Sequence, residues 1–199
     1  MIKNLQNKLE LLAHQTIKTG NTECGDSYFY KVTEDYFLCV LADGLGSGKY
    51  ANEASEAVVE VVEQNHEKDL ETLMELSNKA LYHKRGAAVS ILKVYFEKNE
   101  FVYSGVGNIR FILIAPDGEI TYPLPVSGYL SGKPQVFNTQ CYSYKPGSKF
   151  LIYSDGFEIQ GVKKLLNSFK STQIIADQLR SDLNDGKKDD ATFILGSLL

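Results

Sequence analysis

The most constraining feature of this sequence is that its long apolar segments meet aspartates at their ends. Apolar runs lead into Asp43 in FLCVLADG and into Asp155 in KFLIYSDG, and in KKDDATFIL the apolar run directly follows Asp189 and Asp190. Carboxylates are almost never buried unless they are paired or bound to a cation, because removing the charge from water is costly. Any fold for this chain must therefore supply a positive partner where these segments end.

The order of apolar and turn-forming segments predicts an α+β fold. The predicted strands are LELLAHQTI, SYFYKV, YFLCVLA, GAAVSILKVYF, FVYSGVG, IRFILIAP, VFNTQCYSY, KFLIYSDGFE and ATFILGSL. Short turn-forming links between the middle segments favour antiparallel pairing. Helices grouped between and after the strands would cover a sandwich of two sheets.

Helices are predicted from the spacing of apolar residues and from the residues at segment ends. The predicted ranges are 51–62, 69–83, 160–169 and 172–183. In the first of these, small and apolar residues recur on one face, and the glutamates opposite are interpreted as a solvated surface. The second begins with an acid and is followed by Lys84 and Arg85, which suits the helix dipole.

Divalent metal ions are the best candidates for the positive partner of the aspartates. The chain has only three histidines, none at a metal-binding spacing, and few arginines. Mg²⁺ and Mn²⁺ suit a site made of oxygen ligands. Gly44 and Gly156 directly follow Asp43 and Asp155, and the missing side chain would let a backbone carbonyl turn toward the same ion. The joint pattern predicts a metal site.

The same residues also allow interpretations other than a metal site. Asp-Gly is a common hairpin dipeptide, and Asp117 with Gly118 is interpreted as only a turn. DGLGSGK follows a strand and opens a helix, as phosphate-binding loops do. Its spacing argues against a P-loop, because Asp43 stands where that motif has glycine and Tyr50 where it has serine or threonine. No GxSxG motif or Cys-His pair supports a serine or cysteine nucleophile.

Composition and charge limit the function classes further. A length of 199 residues with ordinary composition predicts one domain over 1–199. A net charge of −4 without a Lys/Arg cluster argues against nucleic-acid and membrane binding. No apolar run suits a signal peptide or a membrane span, so a cytoplasmic location is expected. Cys24, Cys39 and Cys141 lack CxxC spacing and are predicted to be free thiols.

The motifs, taken in order, resemble those of the metal-dependent protein phosphatases of type 2C. The resemblance rests on CGDSYF, ADGLGSG, RGAAVSIL, SGVGNIRFIL, YSDGFE and KDDATFIL. It covers residues 25–195 and implies the fold of that family, a four-layer α-β-β-α sandwich with a two-metal centre at one end. It also implies hydrolysis of phosphoserine or phosphothreonine with two ions of Mn²⁺ or Mg²⁺ as the cofactor.

The resemblance also implies roles for individual residues. The implied metal ligands are Asp26, Asp43, Gly44, Asp155 and Asp189, and the implied catalytic residues are Asp43, Asp155 and Asp189. Asp43 matches the carboxylate that bridges both ions, and Gly44 matches the residue that lends a backbone carbonyl. Asp190 stands where the family often has asparagine, so its role stays open. The ions are expected to activate a water that attacks phosphorus directly.

Two departures from the family leave the proton donor and the phosphate-binding residue open. Leu45 stands where eukaryotic members have a histidine proposed as the general acid, so a water on the metal is the expected donor. TGNTECGD has no basic residue where those relatives place a phosphate-binding arginine. Arg85 and Arg110 are alternatives, although Arg85 also suits a helix end and Arg110 a solvated strand face.

The segments LADGLGSG, KRGAAVSILKV and YPLPVSGYLSGKP are similar to those of phosphatases acting in feedback on the stressosome, the signalling complex of the bacterial general stress response. The implied partner is a phosphorylated regulatory protein, either a stressosome scaffold or an antagonist protein. Tyr129 and Leu130 suggest a docking loop for it, or a loop packed back on the sandwich. The alternative function is a non-catalytic binding module on the same fold, although all expected carboxylates are present.

Overall fold

Two antiparallel sheets packed face to face form the centre of the fold. The computed structural model describes residues 8–157, 161–168, 170–183 and 189–199. Sheet A contains, in spatial order, β1 (Leu9–Thr16), β10 (Ala191–Leu198), β9 (Lys149–Tyr153), β6 (Arg110–Ile114) and β7 (Ile120–Thr121). Sheet B contains β2 (Asp26–Val32), β3 (Tyr36–Gly44), β4 (Ala87–Tyr95), β5 (Glu100–Val106) and β8 (Gln140–Ser143).

Helices cover the outer face of each sheet. The helices are α1 (Lys49–Gln64), α2 (Leu70–Ala80), α3 (Val162–Leu166) and α4 (Thr172–Leu183). Residues of α1 and α2 pack on sheet B, and residues of α3 and α4 pack on sheet A. The predicted α+β, four-layer α-β-β-α sandwich is therefore confirmed. Among the described helices, none is long and apolar enough to cross a membrane.

The burial pattern of β3 shows how the fold positions the acidic residues. Cys39 and Leu41 lie in the cluster between the two sheets, whereas Val40 and Ala42 lie in the cluster beneath α1 and α2. Both faces of this strand are buried, which explains its continuous apolar sequence. Because side chains alternate along a strand, Asp43 follows Leu41 on the inner side, at the end of the sandwich.

Some predicted boundaries differ from those in the structure. The helix predicted at 69–83 is α2, and Asp69 is its N-cap, whose side chain accepts a hydrogen bond from the Thr72 amide at 2.9 Å. The helix predicted at 160–169 is the shorter α3, and residues 160 and 169 lie outside the described residues. VFNTQCYSY forms only the four-residue β8, because Val126 occupies the edge of β5 beyond Tyr103.

A buried lysine connects β4 to the segment between α1 and α2. The Lys93 Nζ donates hydrogen bonds to the carbonyls of His66, Glu67 and Lys68, at 3.0, 3.2 and 2.8 Å. We expect Lys93→Met to lower the free energy of unfolding by about 3 kcal/mol, because three carbonyls would lose their donor. Urea denaturation measures this change. Lys31→Met, at an exposed position of β2, is the control. If both variants changed the free energy of unfolding by the same small amount, water would replace the ammonium group of Lys93 as the donor to the three carbonyls.

Candidate metal centre

Two of the predicted aspartates face each other at one end of the sandwich. The antiparallel register of β2 and β3 places Asp26 opposite Asp43. Asp26 lies two positions before Tyr28, which packs against the cluster between the sheets, so both acids lie on the inner side of sheet B. Asp26 is 2% exposed, and Asp43 is partly exposed. Strand pairing alone therefore brings together two carboxylates that are 17 residues apart in sequence.

The carboxylate of Asp26 is only half satisfied by the protein. The Ser154 hydroxyl donates a hydrogen bond to Asp26 Oδ2 at 2.7 Å, and the Thr192 amide holds that hydroxyl in place from sheet A at 2.9 Å. Asp26 Oδ1 is buried and has no hydrogen-bond partner among the described residues. An unpartnered buried carboxylate oxygen is costly unless a cation meets it. This oxygen therefore fits a metal ligand.

The pKa values of the facing pair show that negative charge is concentrated here. Burial is the largest of the causes that raise the pKa of Asp43 to about 8, and the negative charges of the neighbouring acids act in the same direction; these acids are Asp26, Asp155, Asp189 and Asp190. Burial also raises the pKa of Asp26 to about 6, although its hydrogen bonds oppose this shift. All the acids predicted from the strand ends therefore act on one location, and a bound divalent cation would offset their repulsion.

Asp155 and Asp189 lie at the rim of this cluster. Asp155 is exposed, and its Oδ2 accepts a hydrogen bond from the side-chain amide of Asn108 at 2.6 Å. The side chain of Asp189 is 52% exposed and lies 3.5 Å from the Lys18 ammonium group. Both side chains are exposed, so an ion could reach an oxygen of each while the other contacts stay in place.

Asp190 has a structural role in the described fold. It is 6% exposed, and its two oxygens accept hydrogen bonds from the backbone amides of Lys18 and Gly25, at 2.8 and 2.9 Å. These bonds fasten the segment that leads into β2 onto the start of β10. The role that the sequence left open is thus an anchor for the backbone immediately before Asp26.

The glycines that follow the aspartates allow a second backbone segment to approach. A Cβ on Gly44 would lie 1.9 Å from the carbonyl oxygen of Ala51 in α1. A Cβ on Gly156 would lie 2.0 Å from the carbonyl oxygen of Asp190. Close packing therefore requires glycine at both positions, whatever else the site does. That the Gly44 carbonyl binds a metal ion stays a prediction.

The residues present fit a metal centre that is completed by water. Within the described ranges, no three acidic, histidine or cysteine side chains form a group that could hold an ion by themselves. Mg²⁺ usually binds through only one or two carboxylates and keeps several of its waters. The Asp26–Asp43 pair with the carboxylates at the rim matches that requirement better than it matches a closed site made entirely of side chains.

Two polar residues that the sequence pattern does not indicate also contact the acids of the site. Ser154 and Asn108 orient the carboxylates of Asp26 and Asp155. Both partners are far away in sequence, so no spacing could have revealed them. The sequence predicts that Asn108 turns a hairpin between the strands on either side of it. That prediction is wrong, because β5 lies in sheet B and β6 in sheet A, so Asn108 lies in a link between the two sheets.

The predicted docking loop is only partly available to a partner. Leu130 is fully buried, and its amide and carbonyl pair with those of Ala87, at 2.9 and 3.0 Å. A docking role for Leu130 is therefore wrong, because this part of the loop packs back on sheet B. Tyr129 remains 48% exposed.

Comparisons with known proteins agree with this geometry. Residues 33–198 match the family described as Stage II sporulation protein E (SpoIIE). The chain is 45% identical, over 190 residues, to the phosphoserine phosphatase RsbX of Bacillus subtilis (strain 168), which covers 96% of this chain and 95% of that protein. A crystal structure of RsbX in complex with magnesium superposes with a TM-score of 0.94 at 44% identity, covering 100% of both chains.

Two further solved structures share the fold. A chain from a study of the bacterial stressosome matches with a TM-score of 0.85 and 27% identity, over 95% of this chain and 99% of that chain. The catalytic domain of the serine/threonine phosphatase PstP, in complex with two manganese ions, matches with a TM-score of 0.76. It is 18% identical, over 96% of this chain and 99% of that chain, so it supports the fold alone.

Proposed function

The chain belongs to the SpoIIE family of type 2C protein phosphatases, and we propose that it removes phosphate from serine or threonine residues of a regulatory protein. The similar protein RsbX is a phosphoserine phosphatase, which favours serine. The observation that carries the proposal is the facing pair of Asp26, which is buried, and Asp43, which is partly exposed. Both carboxylates have raised pKa values, and one oxygen of Asp26 has no hydrogen-bond partner among the described residues. A chain without catalytic need for cations would gain stability by replacing either acid.

The cofactor is Mg²⁺ or Mn²⁺. Magnesium is present in the RsbX crystal structure, and two manganese ions are present in that of PstP. The residues that would hold the ions in this chain are Asp26, Asp43, Gly44, Asp155 and Asp189. When bound, a pair of such ions supplies Lewis-acid activation of water and neutralises charge on the phosphoryl oxygens.

The residues of the chain itself supply orientation and charge. Asp43 lies opposite Asp26 and would hold the ions together with it. Burial, and after it the repulsion of the neighbouring acids, raises the pKa of Asp43, and a bound cation would offset both effects. The hydrogen bonds from Ser154 and Asn108 fix the carboxylates of Asp26 and Asp155. Pre-oriented ligands reduce the reorganisation needed during reaction, which is a main source of catalysis in phosphoryl transfer.

Direct hydrolysis by water agrees with the state of the cysteines. Cys24, Cys39 and Cys141 are all free, as predicted. Cys24 is the one next to the acids, and burial raises the pKa of its thiol above the ordinary value. Its Sγ lies 3.7 Å from the Thr16 carbonyl, as a weak donor. A protonated, buried thiol is a poor nucleophile, so Cys24 is not expected to accept the phosphoryl group, in agreement with direct attack by water.

We also infer the partner and the location of the protein. The substrate is a phosphorylated stressosome component, either a scaffold or an antagonist protein, which the similarity to RsbX and to the stressosome chain supports. Such a partner implies a cytoplasmic location.

Residues 1–199 act as one minimal phosphatase domain, because both sheets contribute to a single cluster of buried residues.

A phosphatase assay tests this function. Purified protein with Mn²⁺ is expected to release phosphate from a phosphoserine protein of the stressosome, and excess EDTA is expected to abolish the release. Calorimetry with Mn²⁺ alone measures binding separately from turnover. Metal binding without release of phosphate from any phosphoprotein would favour the alternative, a non-catalytic binding module.

The metal-free protein should lose stability as pH rises. The folded state raises the pKa of Asp43 to about 8 and that of Asp26 to about 6, compared with about 4 in an unfolded chain. Groups with raised pKa values contribute stability that is present below pH 4 and is lost as pH rises through the folded-state values. We therefore expect the urea midpoint in EDTA to fall between pH 5 and pH 8.

The control for this measurement is the urea midpoint over the same pH range in excess Mn²⁺. Excess Mn²⁺ should remove the fall in the urea midpoint, because the ion binds the charged carboxylates of the folded state. A midpoint in EDTA that stays constant or rises over this pH range would contradict the clustering of the acids.

A further inference from the structure

A pocket of about 360 Å³ lies beside the loop that follows Asp43. It is lined by Tyr50, Glu53, His83, Lys84 and Arg85. The first turns of α1 form one side, and the segment that joins α2 to β4 forms the other. None of these residues belongs to the proposed metal centre, so the pocket is a separate feature at the same end of the molecule.

The Arg85 side chain is held against the loop between β3 and α1. Its guanidinium carbon lies 5.3 Å from the centre of the Tyr50 ring. A Cβ on Gly46 would lie 2.6 Å from Arg85 Nη1, so the guanidinium group occupies the space that the glycine leaves open. The Leu45 amide donates to the Gly86 carbonyl at 3.0 Å, which fixes the two backbone segments to each other. Arg85 is therefore positioned by the fold, although it is exposed.

The charge balance of the pocket favours an anionic occupant. Lys84 and Arg85 contribute two positive charges, and the single acid, Glu53, lies 3.9 Å from the Lys49 ammonium group. In the part of the chain that the structure describes, no carboxylate lies within ion-pair distance of Arg85. His83 adopts a positive φ of 66°, an unfavourable conformation that tends to occur where function requires it.

We propose that this pocket binds an acidic side chain of the substrate protein that flanks the phosphoserine being hydrolysed. The inference rests on the proposed phosphatase function. Gly46 is three residues beyond Asp43, so the Cα atoms of the two residues lie at most about 10 Å apart, and the guanidinium group of Arg85 lies directly beside Gly46. An extended peptide covers that distance in two to three residues. Arg85 recognises the flanking carboxylate with its planar pair of donors, and Tyr50 keeps the guanidinium plane in place.

Paired phosphopeptides test the proposal. One peptide carries glutamates two and three residues on either side of phosphoserine, the second carries glutamines there, and p-nitrophenyl phosphate reports on the metal centre alone. We expect the wild-type protein with Mn²⁺ to favour the acidic peptide about tenfold in kcat/KM. Arg85→Gln should abolish this preference and leave hydrolysis of p-nitrophenyl phosphate within twofold. Arg180→Gln, which removes an arginine paired with Asp177 on α4, should behave as wild type.

The remaining outcomes separate this inference from the function on which it rests. If the wild-type protein hydrolyses both peptides equally, or if Arg85→Gln keeps the preference for the acidic peptide, the pocket does not bind acidic side chains of the substrate. An equal loss on peptide and p-nitrophenyl phosphate would also overturn the proposal, because it would place Arg85 on the scissile phosphate. If no substrate is hydrolysed at all, the phosphatase function fails. Fluorescence anisotropy with the acidic peptide bearing unphosphorylated serine then still measures the pocket, and Arg85→Gln should weaken binding about tenfold.

Discussion

Replacement of Asp43 by asparagine is expected to lower kcat/KM on a phosphoserine protein by about 10³-fold in saturating Mn²⁺. An amide is neutral, so asparagine would hold divalent cations much less tightly than the carboxylate of Asp43 would. The same change should stabilise the metal-free protein at pH 8, by roughly 2 kcal/mol, because it removes a carboxylate whose pKa is raised to about 8 by burial and by neighbouring acids. Phosphate release and urea denaturation in EDTA measure the two effects.

The opposite signs of these two effects make the test specific. A substitution that merely damages the fold would lower activity and stability together. Asp117→Asn is the matched control, because Asp117 also precedes a glycine but lies exposed at the turn between β6 and β7. We expect this control to keep its activity within twofold. If Asp43→Asn retained a tenth of the wild-type activity without gaining stability, Asp43 would not be a metal ligand.

The acids of the candidate site could be predicted because each lies at the end of an apolar strand. Burial of β3 forces its final inner side chain, Asp43, to the end of the sandwich, and β9 and β10 bring Asp155 and Asp189 to the same end. The period of the strands and the cost of burying a carboxylate are both local properties of the sequence. The same local properties were enough to predict the four-layer arrangement, because both faces of each sheet carry apolar residues that another layer must cover.

The contacts between elements could not be predicted in the same way. Ser154 meets Asp26 across the two sheets, at a separation of 128 residues, and Leu130 becomes buried because its backbone pairs with Ala87. Neither pairing leaves a periodic signal. The glycine of ADG was explained only as a means of exposing a carbonyl, whereas the structure shows that α1 lies directly against Gly44. Glycine at position 44 therefore has two explanations: it could expose a carbonyl to an ion, and it leaves room for the backbone of α1.

That packing predicts a large effect for Gly44→Ala. The new Cβ would lie 1.9 Å from the Ala51 carbonyl oxygen and 2.8 Å from its Cα, and the obstacle is helix backbone that no side-chain rotation can move. We expect the free energy of unfolding to fall by at least about 3 kcal/mol, since α1 must move off sheet B and lose contacts with buried residues such as Val58. Urea denaturation measures the loss, and circular dichroism shows whether the variant folds.

Gly128→Ala separates this clash from the general cost of replacing a glycine. Gly128 has open space where a Cβ would be placed, but its φ is +107°, so the substitution carries backbone strain of about 1–2 kcal/mol without a clash. Gly44 has no such φ, and its cost should arise from the contact with α1 alone. A loss at Gly44 no larger than the loss at Gly128 would show that α1 moves without resistance. The position of the loop between β3 and α1, and hence of Gly46 beside Arg85, would then be adjustable and not fixed by the fold.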